Sequence, residues 1–510
     1  MYNCAQVFWD NFENNRRHIA LEINDQSYSY EFFGETSKRV NSVVAKYSKS
    51  RVVAVLSCKE FLSYCAIIGI ISGSRAYCPI GHKLPTKRQL SVFLESSADT
   101  LIISQSQFSK SIDFINELNQ LNKNITIVTD KMTCKVFIKK YPNLNFKYID
   151  ACDTKKDPVV EPATNDTLAY LLFTSGTTGR PKGVPITHGN LRTYLKNIQN
   201  MCDFGKGLRY SQTFPLTFDL SVHDMFVCWM QSGCLIPIPE EKMISPAEFI
   251  ISKKIQVWFS VPSQISLMNS FGLLKAGSFP HIKLSLFCGE ALPVDLAQKW
   301  ISAAQNSKLL NLYGPTEATI AISAYQLPEN PTHIKSVGGI ISIGKIFEDH
   351  QYEILNDELI ITGNQIAGYY WGAKDYSLGP FSYIGTNKSY STGDIVEERD
   401  GLLFYLSRRD NQVKVNGNRV ELEEINSIVR SLLQNSEVAT IAINGKSRVT
   451  LHTFVATKHR FNFEKVLDKV KNELPVYMVP KSIHKIVTLP LNQAGKVDVN
   501  KLKEIFLDAV

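Results

Sequence analysis

The chain lacks any run approaching the ~20 apolar residues that a membrane span needs. Its most apolar stretch, YCAIIGIISG from Tyr64 to Gly73, is half that length and reads as a buried helix. None of its ten cysteines forms a CxxC pair, and all lie at or before Cys288 among apolar neighbours. That favours buried free thiols in a reducing cytoplasm over disulfide or metal use. The first residues, MYNCAQVFWDNFENN, show no basic start followed by an apolar run, so no signal peptide is expected and the predicted location is cytoplasmic. The net charge of +8 arises from 56 basic and 48 acidic residues without a basic block. Aromatic and basic residues do not alternate, which argues against a nucleic-acid partner and leaves a mildly basic face for an acidic one. Internal repeats and low-complexity linkers are also missing.

What is present is a globular composition, 44% hydrophobic and 20% charged, over 510 residues. That length implies two or three folded units. RVVAVLS, TLIISQS and ITIVTD read as short buried strands, with helical stretches at 60–72 and 87–95 between them. The alternation returns in IQVWFSVP, IKLSLFCG and KLLNLYG, with helices near 264–271 and 295–304. From about Ser342 short strand-like pieces (QYEIL, ELIITG, LLFYL) separated by turns suggest a small β subdomain. After Asp410 come QVKVNG, a helix from about Glu421, ATIAING, VTLHTFVAT and a helix near 463–474. The expected fold is α/β: a large N-terminal domain (1–409) of parallel-rich α/β sheets with a small β subdomain, and a small mobile α+β C-terminal domain (410–510).

LFTSGTTGRPKG, Leu172 to Gly183, packs three glycines, four hydroxyls and two cations into twelve positions. It reads as a flexible polar loop hung between a strand (LAYLLF) and a helix that Thr187 or Asn190 caps. Bare backbone N–H groups, hydroxyls and a lysine together suit a phosphate group. The stretch is not a P-loop, because Pro181 follows Arg180 and no Ser or Thr follows Lys182. A solvated surface turn is the alternative.

Nine blocks in order carry a family resemblance: SYSYEFFGETSKRVN, AYCPIGHKLPTKRQL, LFTSGTTGRPKG, FDLSVHDMF, NLYGPTEATIA, YSTGDIV, SRRDNQVKVNGNRVELEEI, LPVYMVP and LNQAGKVDVNKL. The chain resembles the adenylate-forming superfamily, specifically the stand-alone amino-acid adenylation domains of nonribosomal peptide synthetases and the D-alanine–carrier protein ligases. The resemblance implies a ligase that joins a carboxylate to the α-phosphate of ATP and then passes the acyl group to a thiol. A carboxylate is already ionised at pH 7, so the first half needs positioning and charge neutralisation rather than a general base. On this resemblance Thr174, Ser175, Gly176, Thr177, Thr178 and Lys182 form a mobile pyrophosphate clamp. Tyr313 stacks on adenine, within a nucleotide-binding segment that includes Asn311 and Gly314. Thr316 contacts the α-phosphate, and Glu317 is the Mg2+ ligand. Gly289 and Glu290 line the adenine, Asp394 accepts from the ribose hydroxyls, and Arg408 binds the ribose. Ser407 stands where the family has glycine. Lys496 is the mobile lysine of the first half-reaction. Asp410 is the hinge whose rotation carries it away and brings in the face around Lys414 to Gly417.

The same resemblance gives the substrate class. Asp219 fills the place of the aspartate that holds an α-ammonium, with a helix N-cap as its alternative role. Leu220, His223, Phe259, Leu286, Cys288, Leu312, Ile320 and Ala321 would line the side-chain pocket. A mostly apolar pocket without charge suits alanine, proline or serine, and His223 could bind a substrate hydroxyl. No Gly-Gly-x-Ser stretch for phosphopantetheine and no condensation or thioesterase motif is found. The implied partner is therefore a separate carrier protein with a phosphopantetheine arm, in nonribosomal peptide or antibiotic synthesis. Two alternatives stay open: an acyl- or aryl-CoA ligase of the same superfamily, which Asp219 opposes, and a catalytically silent binding protein, which Lys182, Glu317, Asp394 and Lys496 oppose.

Overall fold

The computed structural model describes residues 2–121, 123–151, 160–176, 181–372, 379–410, 412–433, 437–445, 448–457, 461–491 and 497–508. Two large sheets form the N-terminal part. The seven-stranded sheet runs Leu144–Tyr148, Ile125–Thr129, Thr100–Ile102, Val52–Ser57, Ala76–Gly81, Leu168–Thr174, Lys182–Thr187, parallel except at the last pair. The nine-stranded sheet is parallel from Lys308–Tyr313 through Leu284–Phe287, Val257–Ser260, Arg209–Gln212 and Cys234–Pro237 to Ile19–Ile23, with antiparallel strands at both edges. Strands buried on both faces read as continuous apolar runs, which is why VVAVLS and LSLF were legible as strands.

Helices fill the space between the sheets. Phe61–Ser72 is apolar on almost every side and nearly all of it is buried. Gly69 lets it close on helix Tyr30–Tyr47, since a Cβ there would lie 2.6 Å from the Ser37 carbonyl oxygen. The rings of Phe8, Phe33 and Trp229 meet at 4.7–5.6 Å and lock the first helix, Gln6–Asn14, to Tyr30–Tyr47 and Leu220–Met230. Nine cysteines among the described residues are free thiols, eight of them buried. Among the described residues no helix is long and apolar enough to cross a membrane.

A five-stranded antiparallel sheet (350–408) follows, and then a smaller C-terminal domain. The latter holds the hairpin Gln412–Val415/Asn418–Glu421, a three-stranded sheet and the helices Leu422–Leu432, Phe463–Lys471 and Val499–Asp508. One expectation needs correction. The glycine-rich loop does not join a strand to a helix: Lys182–Thr187 returns antiparallel to Leu168–Thr174, with Lys182 opposite Thr174, and only then does helix His188–Met201 begin. The apolar, β-branched VPIT run favours a strand. Thr187 is the N-cap, and Asn190 completes its capping box.

The two sheets are clasped by Lys59. Its Nζ donates to the carbonyls of Gln212 (3.1 Å), Thr213 (2.9 Å) and Ile238 (3.0 Å), at the carboxyl ends of neighbouring parallel strands. Burial pushes its ammonium down to about 8, against the pull of Asp224 and Glu240. Lys59→Met strands three acceptors and the buried Asp224 carboxyl, and should destabilise the N-terminal domain by about 3 kcal/mol. A lowered urea midpoint at unchanged slope is the expected readout.

Candidate active site

Strand Lys308–Tyr313 ends at a turn that only special backbone can make. A Cβ at Gly314 would stand 2.6 Å from Ala321 Cα. Thr319 and Ile320 have φ of 57° and 73°, the left-handed region that side chains avoid. Gln365, fully buried, holds this turn in place. Its amide donates to the carbonyls of Ala321 (2.8 Å) and Ala318 (3.2 Å), and its own carbonyl accepts from the Thr319 hydroxyl at 2.5 Å. Thr316 and Glu317 sit in the one-turn helix so fixed.

Glu317 is fully buried. The Tyr370 hydroxyl donates to its Oε1 at 2.7 Å, and Arg419 Nη1 lies 3.0 and 2.8 Å from its two carboxylate oxygens. Burial pushes Glu317 toward its neutral form, but Arg419 and Tyr370 outweigh it and hold the carboxyl below its ordinary range. Lys182 Nζ lies 5.4 Å from the centre of the Tyr370 ring. The loop lysine, the tyrosine and the buried carboxylate thus form one chain of contacts.

Tyr313 and Asp394, 81 residues apart, meet: the tyrosine hydroxyl donates to Asp394 Oδ2 at 2.6 Å. Arg408 Nη1 donates to Asp394 Oδ1 at 2.7 Å, and its Nε and Nη2 grip both oxygens of Asp410, each at 2.7 Å. Asp410 therefore sits at the exit of strand Leu402–Arg408, half-exposed and tied back to Arg408. Asn311 is buried, its amide donating to the Ser342 carbonyl at 2.9 Å, a bond that fixes the sheet edge. Gly289 adopts φ +88° beside Glu290, whose Oε2 accepts from Ser263 N–H at 2.7 Å.

The C-terminal hairpin enters this site. Its Asn416-Gly417 tip has positive φ at both residues, the two-residue turn that such a pair favours. Glu290 Oε1 accepts from Gly417 N–H at 2.5 Å. A Cβ at Gly417 would lie 2.5 Å from Val261 Cγ1, so only glycine fits this tip. The Ser175 hydroxyl donates to the Arg419 carbonyl at 2.9 Å and Gly176 N–H to Glu424 Oε2 at 3.2 Å. The Thr174 hydroxyl meets the Lys182 carbonyl at 3.4 Å. Thr177, Thr178 and Lys496 lie outside the described residues.

A cavity of about 580 Å³ runs beside these groups. Asp219, Cys288, Gly289, Thr316 and Ile320 line its inner part together with Lys414, Gly417 and Arg419. Lys83, Glu240 and Val476, the last 84% exposed, line its mouth. Asp219 occupies the N-cap position of helix Leu220–Met230 without a side-chain capping bond, and the Leu220 N–H and the Thr316 hydroxyl both favour its ionised form. Burial pushes it up to about 6, with the Thr316 hydroxyl and Lys414 pulling the other way. Lys414 is exposed by surface area, yet the protein crowded around its ammonium and the Arg419 charge press it below its usual value, against Asp394, Cys288 and Asp219. Burial also raises the Cys288 thiol to about 12.

Of the eight residues expected along a side-chain pocket, only Leu220, Cys288 and Ile320 reach the cavity. Phe259, Leu286, Leu312 and Ala321 are buried in the core behind them. His223 is buried too, its Nδ1 2.6 Å from the Tyr194 hydroxyl and its ring 4.7 Å from that of Phe259. Burial holds it down to about 3, so it is uncharged. The residues that sequence reading did not single out are Gln365, Tyr370, Arg419 and Glu424. The last two lie inside a recognisable block, yet nothing in that block tells which distant carboxylate or loop they meet.

Residues 8–371 match the family described as AMP-binding enzyme. The D-alanine--D-alanyl carrier protein ligase of Bacillus cytotoxicus is 29% identical over 458 residues, 86% of either chain. The protein of the same name from Bacillus mycoides is 30% identical over 460 residues, 85% of either chain. Among solved structures, the Vibrio cholerae adenylation domain AlmE, in complex with glycyl-adenosine-5'-phosphate, superposes with a TM-score of 0.90 at 28% identity. That match covers 100% of this chain and 98% of the other. With the site geometry and the family match in agreement, the chain belongs to the AMP-binding enzymes, the adenylate-forming superfamily that its motifs resemble.

Proposed function

We propose that the protein activates a very small amino acid, glycine or alanine, with ATP and transfers it from the aminoacyl-adenylate to the phosphopantetheine thiol of a separate carrier protein. The observation that carries this reading is Asp219: a buried carboxylate on the wall of a cavity that reaches the surface. Such a group pairs with a substrate ammonium. The cavity wall at Leu220, Cys288 and Ile320 is apolar and uncharged, which suits a small substrate side chain without charge. The names of the relatives point the same way, two being D-alanyl carrier protein ligases and one a domain holding glycyl-adenosine-5'-phosphate.

In the first half-reaction a substrate carboxylate oxygen bonds to the α-phosphorus and pyrophosphate leaves. The loop from Thr174 through Thr178, with Lys182, holds the departing phosphates, Thr316 addresses the α-phosphate, and Lys496 bridges the two substrates. Asp394 and Arg408 hold the ribose, and Tyr313, anchored by its hydroxyl, takes the adenine. Glu317 fits a Mg2+ ion: it is an ionised oxygen donor beside the phosphate loop. Among the described residues no cluster of three or more metal-binding side chains exists, so phosphate and water oxygens would complete the shell, as this ion prefers. When bound there, Mg2+ neutralises phosphate charge.

In the second half-reaction the C-terminal domain (410–510) turns about Asp410 and inserts its hairpin; the contact of Gly417 with Glu290 supports this reading. Lys414 faces the cavity near Asp219 and Cys288, where it can balance charge on the acyl oxygen and on AMP as the thiol sulfur bonds to the acyl carbon. AMP departs with the electron pair of the broken bond, and the thiol proton leaves along the cavity.

ATP–pyrophosphate exchange should be strongest with glycine or one alanine enantiomer, and at least about tenfold weaker with proline, serine and longer residues. Exchange driven by a fatty or aryl acid alone would overturn the reading. Asp219→Asn should lower kcat/KM for the amino acid by about 10²-fold or more. Because Asp219 must be ionised to pair with an ammonium, the wild-type amino-acid KM should climb as pH falls below about 6, and the Asn variant should lose that slope. Lys496→Ala should cut exchange by about 10²-fold while transfer from preformed adenylate falls far less; equal losses would refute its assignment.

A further inference from the structure

One edge of the seven-stranded sheet takes no part in the site. It is built from the short helix Lys131–Phe137, the turn after it and the edge strand Leu144–Tyr148. Thr133, Cys134 and Phe137 give the helix its inner side. On the outer side Lys131 and Lys135 form one exposed row, four residues apart, and Met132 and Val136 form the row beside it. Met132 is 63% exposed, Val136 60% and Ile138, in the turn, 50%. Lys139 and Lys140 are exposed next to Ile138, and Lys147 stands on the edge strand. From Lys131 to Ile149 the chain has five lysines and no acidic residue. Lys131, Lys140 and Lys147 lie over the rings of Tyr148 (5.7 Å), Tyr141 (5.4 Å) and Tyr47 (4.7 Å), and among the described residues none of the five pairs with a carboxylate. The acids on either side are engaged elsewhere. Asp130 accepts from the Thr133 N–H (2.9 Å) and hydroxyl (2.6 Å), and Asp150 pairs with Arg39 at 3.0 Å.

We propose that this face docks on an anionic membrane surface, its lysines meeting lipid headgroups while Met132, Val136 and Ile138 enter the boundary between headgroups and acyl chains. Single apolar side chains on a surface need no explanation. Three within seven residues, ringed by lysines without acidic partners, form a surface whose complement is at once apolar and negatively charged. An anionic bilayer offers both, with phosphates at headgroup depth and hydrocarbon beneath. A nucleic acid offers the charge but leaves the three apolar side chains in water. Lysine stems also pack along apolar surface while the ammonium stays at the headgroups. No run of basic residues marks the segment in the sequence, because apolar residues separate the lysines; the helical period gathers them on one side. The sheet order fixes what stays free. Leu144–Tyr148 is one edge of the seven-stranded sheet, and Lys182–Thr187, which follows the glycine-rich loop, is the other. Contact through the first edge leaves the nucleotide site open, so the bound enzyme works on soluble substrates at the membrane surface. The docking is independent of which acid is activated.

The test mixes the full chain with vesicles of phosphatidylcholine alone, or of phosphatidylcholine and phosphatidylglycerol in equal parts, and reads binding by sedimentation. The anionic vesicles should be bound at least about tenfold more tightly than the neutral ones, and added salt should weaken that binding. Lys131→Gln, Lys135→Gln and Lys139→Gln together should weaken it about tenfold or more, and Met132→Ser with Val136→Ser about fivefold or more. Neither set touches the site, so ATP–pyrophosphate exchange should stay at the wild-type level and shows that the variants are folded. An environment-sensitive fluorophore, introduced through a bioorthogonal residue at position 136, should shift to the blue on binding. The same fluorophore in place of the exposed Phe271, beyond helix Pro262–Ser270, should not. No preference for the anionic vesicles would overturn the proposal. Wild-type binding in both variants, or a blue shift at position 271 and not at 136, would put the contact on another face and overturn it too. Lysine-dependent binding to duplex DNA without binding to vesicles would give the face to a nucleic acid and overturn the lipid assignment.

Discussion

A carboxylate sealed away from water cannot stay ionised without a cation against it, and Glu317 is such a group. In the present arrangement the cation is Arg419, contributed from 102 residues away by a hairpin of another domain. Much of the site is organised around that requirement. Tyr370 donates to the same carboxylate, Lys182 rests over Tyr370, and Gln365 fixes the turn that carries Glu317. The buried charge therefore couples loop, turn and domain.

The sheets set the stage for this coupling. Parallel strands deliver their carboxyl ends to one edge, where ligands of open α/β folds bind. Lys59 ties two of those ends to the other sheet, so the cavity walls come from independent sheets yet hold a fixed separation. Glycines at the closest approaches, Gly314 against Ala321 and Gly417 against Val261, let backbone come where no side chain fits. The rigid parts are thus the strand ends and turns, and the part proposed to move carries the countercharges.

Burial acts in opposite senses on the site's ionisable groups. It raises Asp219 to about 6, close to the range where a substrate cation can tip it to the charged form, and it lowers His223 to about 3, leaving a neutral ring packed on Phe259. One buried polar group is therefore suited to recognising charge and the other to shaping volume.

The sequence by itself determined the alternation of strand and helix, because strands buried on both faces and amphipathic or wholly buried helices write their periods into the chain. It also determined the family, since blocks such as NLYGPTEATIA and LFTSGTTGRPKG keep both composition and order, and it singled out Tyr313 and Asp394, which the fold joins by a hydrogen bond. It misread the glycine-rich stretch as a strand-to-helix loop, because antiparallel pairing of Thr174 with Lys182 is a long-range hydrogen-bond pattern that local propensity does not encode. It treated eight positions as one open pocket, whereas packing sends only Leu220, Cys288 and Ile320 to the cavity wall. The Arg419–Glu317 pair, the Glu424–Gly176 bond and the Gln365 clamp were decided only by tertiary structure, because each joins residues far apart in the chain whose partnership depends on how the domains and sheets come together.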